Sequence, residues 1–167
     1  MKKKKGFTLI ELSIVIFIIG LMGLYVLPNM GDRLFHTETK FSLRRIAGNI
    51  KEVFNLAAIK RQTYYFVLDL DKDRYWVALP DDKGNLSEEA STHMIHIELA
   101  NKIDLVDVAT AKEKYSKGEN IILFTPRGLS EKHLIHLKSN DTNYTLIISP
   151  LTGQVDIKEG YVELTNA

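Results

Sequence analysis

The chain has no cysteine among its 167 residues. That excludes disulfide bridges, a thiol nucleophile and a lipid-modified cysteine anchor, although it is compatible with an oxidising compartment. Proline is scarce, and the four that occur, Pro28, Pro80, Pro126 and Pro150, fall at breaks between patterned stretches. Neither sign of charge dominates, with 22 basic residues against 21 acidic ones. Four of the basic residues are Lys2–Lys5; without them 18 face 21, a balance of −3. Such a balance gives the bulk of the chain no reason to bind nucleic acid or an anionic lipid surface. No G-x-S-x-G elbow and no phosphate-binding glycine loop is present. No catalytic residue, cofactor or metal is therefore expected.

What the chain does have is one long apolar run. From Phe7 to Leu27 the only ionisable groups are Glu11 and the Tyr25 phenol. As a helix at ~1.5 Å per residue, this run reaches roughly 30 Å, enough to span the hydrocarbon core of a bilayer. An ionised side chain inside such a span costs roughly 2.5–3.5 kcal/mol on insertion scales, so Glu11 calls for a compensating partner. A secretory signal is cut after its apolar core, behind small residues, but Met22, Tyr25, Leu27 and Pro28 offer no such site. Gly6 is the small residue at a plausible junction, and it precedes the core. Cleavage there discards the lysines and keeps the anchor. The lysines themselves hold the N-terminus in the cytoplasm and send the remainder across the membrane.

Beyond Pro28 and Gly31 the pattern becomes amphipathic. Leu34, Phe41, Ile46, Ile50, Val53 and Ala57 form an apolar stripe that ends near Arg61. The rest reads as strands: Tyr64–Leu68, Arg74–Leu79, Met94–Leu99, Asn120–Phe124, Lys132–Leu137, Tyr144–Ser149 and Gln154–Ile157. Residues 80–91 read as a polar loop, and 104–118 as a loop or short helical piece. A helix followed by a meander of antiparallel strands gives an α+β class, with the long helix packed on an antiparallel sheet.

Lys2-Lys3-Lys4-Lys5-Gly6-Phe7-Thr8-Leu9-Ile10-Glu11 resembles the class III signal of type IV pilins and type II secretion pseudopilins. The resemblance implies cleavage between Gly6 and Phe7 by a membrane prepilin peptidase, which also N-methylates Phe7. It implies that Glu11 pairs with the N-terminal amine of a neighbouring subunit during filament assembly. Gly20 and Pro28 sit where that family places a glycine and a helix-disturbing proline. The strand segments Tyr64–Leu79, Ile121–Gly128 and Ile147–Val155 resemble the minor pseudopilins of the H type. The domains implied are a leader (1–6), a transmembrane helix and filament core (7–29), an amphipathic helix (30–62) and a periplasmic β-rich domain (63–167). The implied role is a minor pseudopilin of a type II secretion system, in the inner membrane with a periplasmic C-terminal domain. Its implied partners are other pseudopilins, the peptidase, an inner-membrane assembly platform and the lipid bilayer, with no nucleic acid. The alternative is a minor type IV pilin serving pilus assembly, adhesion or DNA uptake. Absent cysteines, where pilins commonly carry a disulfide loop, and an end holding Asp156, Glu159 and Glu163 tilt the reading toward secretion.

Two further groupings invite a metal. Asp69, Asp71 and Asp73 lie in one turn, but the glycine and glutamate of a calcium loop do not follow, so a charged hairpin turn is expected. His93 and His96, and His133 and His136, are each three apart, which on a strand sends them to opposite faces. Surface or partly buried histidines are expected.

Overall fold

The computed structural model describes residues 9–80, 86–87, 97–100 and 103–164, with backbone alone along 23–37 and at 87. Helix α1 runs from Leu9 to Lys60. Its assignment is continuous through Gly20 and Pro28, so neither residue ends the helix. Arg61, at φ 52°, takes the left-handed conformation just past the end. Gln62 N–H then donates to the Ala57 carbonyl at 3.3 Å, the six-to-one closure of a Schellman cap.

The chain forms two compact units, Met1–Glu38 and Thr39–Ala167. Within the second unit, Leu43, Ile46, Ile50, Val53 and Ala57 of α1 are buried. Their steps of three and four set them on one face. Each aliphatic side chain of valine size or more contributes roughly 1.5–3 kcal/mol by leaving water. Phe41, expected on this stripe, is exposed. Three residues back from Ile46 lies Leu43, which continues the seam, whereas Phe41 falls off it.

Ten strands occur among the described residues: β1 (Tyr64–Asp69), β2 (Arg74–Pro80), β3 (Leu86–Ser87), β4 (Ile97–Glu98), β5 (Ile103–Ala109), β6 (Lys114–Tyr115), β7 (Glu119–Phe124), β8 (His133–Ser139), β9 (Thr142–Ile148) and β10 (Val155–Glu159). They build two antiparallel sheets. One has the order β3-β2-β1-β7, with β4 also on β2; the other is β10-β9-β8-β5-β6. The expected meander is corrected here, because β1 pairs with β7 and β5 pairs with β8 across intervening strands. The loop or helix expected over 104–118 is also corrected: β5 and β6 occupy much of it. Aspartates at 104 and 107 dilute the apolar signal of β5, although Ile103, Leu105 and Val108 are buried.

Both sheets and the helical stripe close a single core, with Phe66 stacked on Tyr75 and edge-on to Phe124. A smaller cluster of Val67, Trp76 and Ala78 lies apart from it, with Tyr65 against it. Trp76 and its neighbours thus serve core and hairpin packing. Two turn glycines hold the loops against the helix. Gly128 and Gly153 have positive φ, and a Cβ on Gly153 would collide with the Phe54 ring. On Gly128 it would collide with the Pro150 carbonyl. Lys51 ties the same region down, donating to the Thr152 carbonyl at 2.5 Å.

Candidate functional site

The processing junction, Gly6 and Phe7, lies outside the described residues. Glu11 stands in the first turn of α1, where a carboxylate complements the positive end of the helix dipole. Around it Leu9, Ile10, Leu12, Ile14, Val15 and the following aliphatic residues to Met22 are exposed. Apolar surface of that extent is a contact surface for lipid or protein. Gly20 lies within this stretch with open space around its Cα. Among the described residues no helix is long and apolar enough to cross a membrane. Of the expected span, 7–29, only 9–22 is described with side chains.

The hairpin carboxylates are each engaged in structural bonds. Asp69 is buried and accepts from the Arg74 guanidinium at 2.9 Å. Asp71 accepts from Gly118 N–H at 3.2 Å, and Asp73 from Leu105 N–H at 2.6 Å. Burial raises the Asp73 carboxyl above its ordinary range; the Leu105 hydrogen bond opposes this, and the charges of Asp104 and Asp69 add to it. Among the described residues no cluster of three or more potential ligands could hold a metal ion.

The histidines differ from expectation. His93 and His96 lie outside the described residues, but His133 and His136 are both buried. His133 Nδ1 meets the Glu131 carbonyl at 3.0 Å, and burial lowers its pKa. His136 stands opposite Asp107 across β8 and β5. Its Nδ1 is 2.6 Å from Asp107 Oδ1, and its Nε2 is 2.9 Å from the Val162 carbonyl. The carbonyl cannot donate. Asp107 Oδ2 accepts from Tyr161 Oη at 2.9 Å and faces Lys114 Nζ at 3.4 Å, as a carboxylate does. The imidazole therefore donates from Nε2 to the Val162 carbonyl, while Nδ1 shares a short hydrogen bond with the Asp107 carboxyl. Tyr161 also stacks on His136, ring centroids 3.8 Å apart. Burial raises the Tyr161 phenol, and a hydrogen bond to that phenol raises Lys114. This cluster fastens the C-terminal segment over the second sheet. No local pattern announces it, because its members come from β5, β6, β8 and the tail.

An exposed apolar helix start carrying one glutamate thus stands in the same helix whose later part packs on two antiparallel sheets. Residues 1–27 match the family described as the prokaryotic N-terminal methylation motif. Among solved structures, the fold is similar to the minor pseudopilin EpsH from the type 2 secretion system of Vibrio cholerae. The TM-score is 0.55 at 9% identity, over 72% of this chain and 96% of that one. No match is found among curated protein sequences. The chain thus joins a methylation motif to a pseudopilin-like α+β fold.

Proposed function

We propose that the protein is a minor pseudopilin of a type II secretion system, a structural subunit of a periplasmic filament that helps export folded proteins. The carrying observation is the methylation motif over residues 1–27 ahead of a fold similar to a minor pseudopilin. In this reading prepilin peptidase cuts between Gly6 and Phe7 and methylates Phe7. Residues 7–29 cross the inner membrane and later line the filament core, and the β-rich domain faces the periplasm. Pro28 lacks the N–H that would close the helix onto Leu24, so it loosens the helix locally as the subunit leaves the bilayer. Other pseudopilins and the inner-membrane assembly platform are its partners. The lack of cysteine and the acidic end favour this reading over a minor type IV pilin.

Glu11 is the assembly contact. An α-amine is largely protonated at neutral pH, with an unperturbed pKa of about 7.7–8. Leaving either it or the carboxylate unpaired in apolar surroundings is costly. Glu11→Ala is expected to leave processing and membrane insertion intact while blocking incorporation into the filament. Mass spectrometry of the mature N-terminus reads processing, and sheared-filament immunoblots read incorporation. Filaments that incorporate Glu11→Ala at the wild-type level overturn the role of Glu11. An intact leader in cells holding the peptidase overturns the proposed function.

A further inference from the structure

Strand β7 is an edge. β1 pairs along its whole length on one side, and among the described residues no strand pairs with the other. Natural proteins guard such edges with lysine, proline or a bulge, because an open ladder of N–H and C=O groups recruits other strands. Glu119-Asn120-Ile121-Ile122-Leu123-Phe124 has no lysine or proline, and its register with β1 is unbroken. It presents Ile121 and Leu123 outward, 38% and 46% exposed. Alongside lies a groove of 310 Å³ reaching to the second sheet. The charged side chains lining it are Glu113 and Glu131. Both carboxylates act on the groove: the Tyr115 phenol is raised, chiefly by its hydrogen bond to Glu113 and also by the charges of Glu113 and Glu131. Burial lowers the His133 pKa, against the opposing Glu131 hydrogen bond and charge, and so disfavours a positive charge there.

We propose that the β7 edge and this groove form a docking site for an extended segment of a partner protein that alternates apolar and basic residues. The segment adds as a strand on β7, laying apolar side chains over Ile121 and Leu123 and directing lysine or arginine to Glu113 and Glu131. Strand addition draws affinity from the main chain and selectivity from alternate side chains. The acidic rim argues against a second copy, since two such edges bring like charges together. No residue before Thr39 takes part, so the inference stands independently of the pseudopilus reading.

The test uses the full chain in a neutral detergent, titrated with two labelled peptides, one alternating valine with lysine and one alternating valine with glutamate. Fluorescence anisotropy should show the lysine peptide binding at least about tenfold more tightly, a difference of about 1.4 kcal/mol. Methylating the peptide's backbone nitrogens along one edge should abolish binding. Leu123→Lys should abolish it too, while leaving thermal unfolding unchanged because the side chain is half-exposed. Glu131→Gln should narrow the preference between the peptides. Equal binding of both peptides, indifference to backbone methylation, or no binding by the lysine peptide overturns the proposal. Self-association of the chain that Leu123→Lys abolishes also overturns it, and assigns the edge to a second copy.

Discussion

Asp73 closes the β1–β2 turn at φ 49°, in the left-handed region that asparagine enters more readily than most residues. Its carboxyl accepts from Leu105 N–H, and desolvation with the nearby charges of Asp104 and Asp69 raises its pKa above 3.8. A carboxyl that is harder to ionise in the folded chain binds its proton more tightly there than when unfolded. Its contribution to stability is therefore highest below the unfolded pKa, falls as pH rises through the folded pKa, and stays low at neutral pH. Asp73→Asn keeps an acceptor for Leu105 and removes the charge. It is expected to be more stable than wild type at pH 7 by less than about 1 kcal/mol, the site being partly solvated. The gain should vanish near pH 3. Urea unfolding at both pH values reads this, and a loss of stability at pH 7 would contradict it.

At the scale of elements, the hairpin of β1 and β2 was legible because its apolar and aromatic residues flank a turn of alternating charge. β5 was not. Asp107 reads as a solvated residue until it is placed against His136, twenty-nine positions away and across the ladder. Local periodicity carries no trace of such a pair, or of β7 returning to β1. The same pair governs the C-terminal segment. His136 holds Val162 and Tyr161, while Thr145 accepts from Val162 N–H at 3.1 Å and donates to Gly160 at 2.7 Å. His136→Ala leaves Asp107 buried with Tyr161 and Lys114 but without its closest partner. It should cost about 2–3 kcal/mol in denaturant unfolding and speed hydrogen exchange at Val162. Tyr161→Phe retains the stacked ring and should cost only about 1 kcal/mol. If the two variants were equally destabilised, the hydrogen-bonded core of the cluster would not be its main support.

For the whole molecule, the N-terminal motif and the α+β class were readable from the first residues and from strand spacing, while the sheet order required long-range pairing. The apolar run and the amphipathic stripe both lie on α1, yet the compact unit begins at Thr39, inside that helix. Thr39 Oγ1 lies 2.8 Å from Ser139 Oγ, and the buried seam begins at Leu43. Most helical stability in a folded protein comes from tertiary packing of an apolar face, and Leu43, Ile46, Ile50, Val53 and Ala57 supply that face against the sheets. The described core residues that pack against it lie within residues 39–164. A fragment of residues 39–167 is therefore expected to fold alone and unfold in one cooperative transition. Its midpoint should fall within a few degrees of that of the same domain in the full chain. It should remain monodisperse without detergent, because the exposed aliphatic surface of Leu9–Met22 is gone. Calorimetry and light scattering on the fragment and the full chain provide the comparison. A broad, non-cooperative transition in the fragment would mean that the helix before Thr39 contributes to the fold.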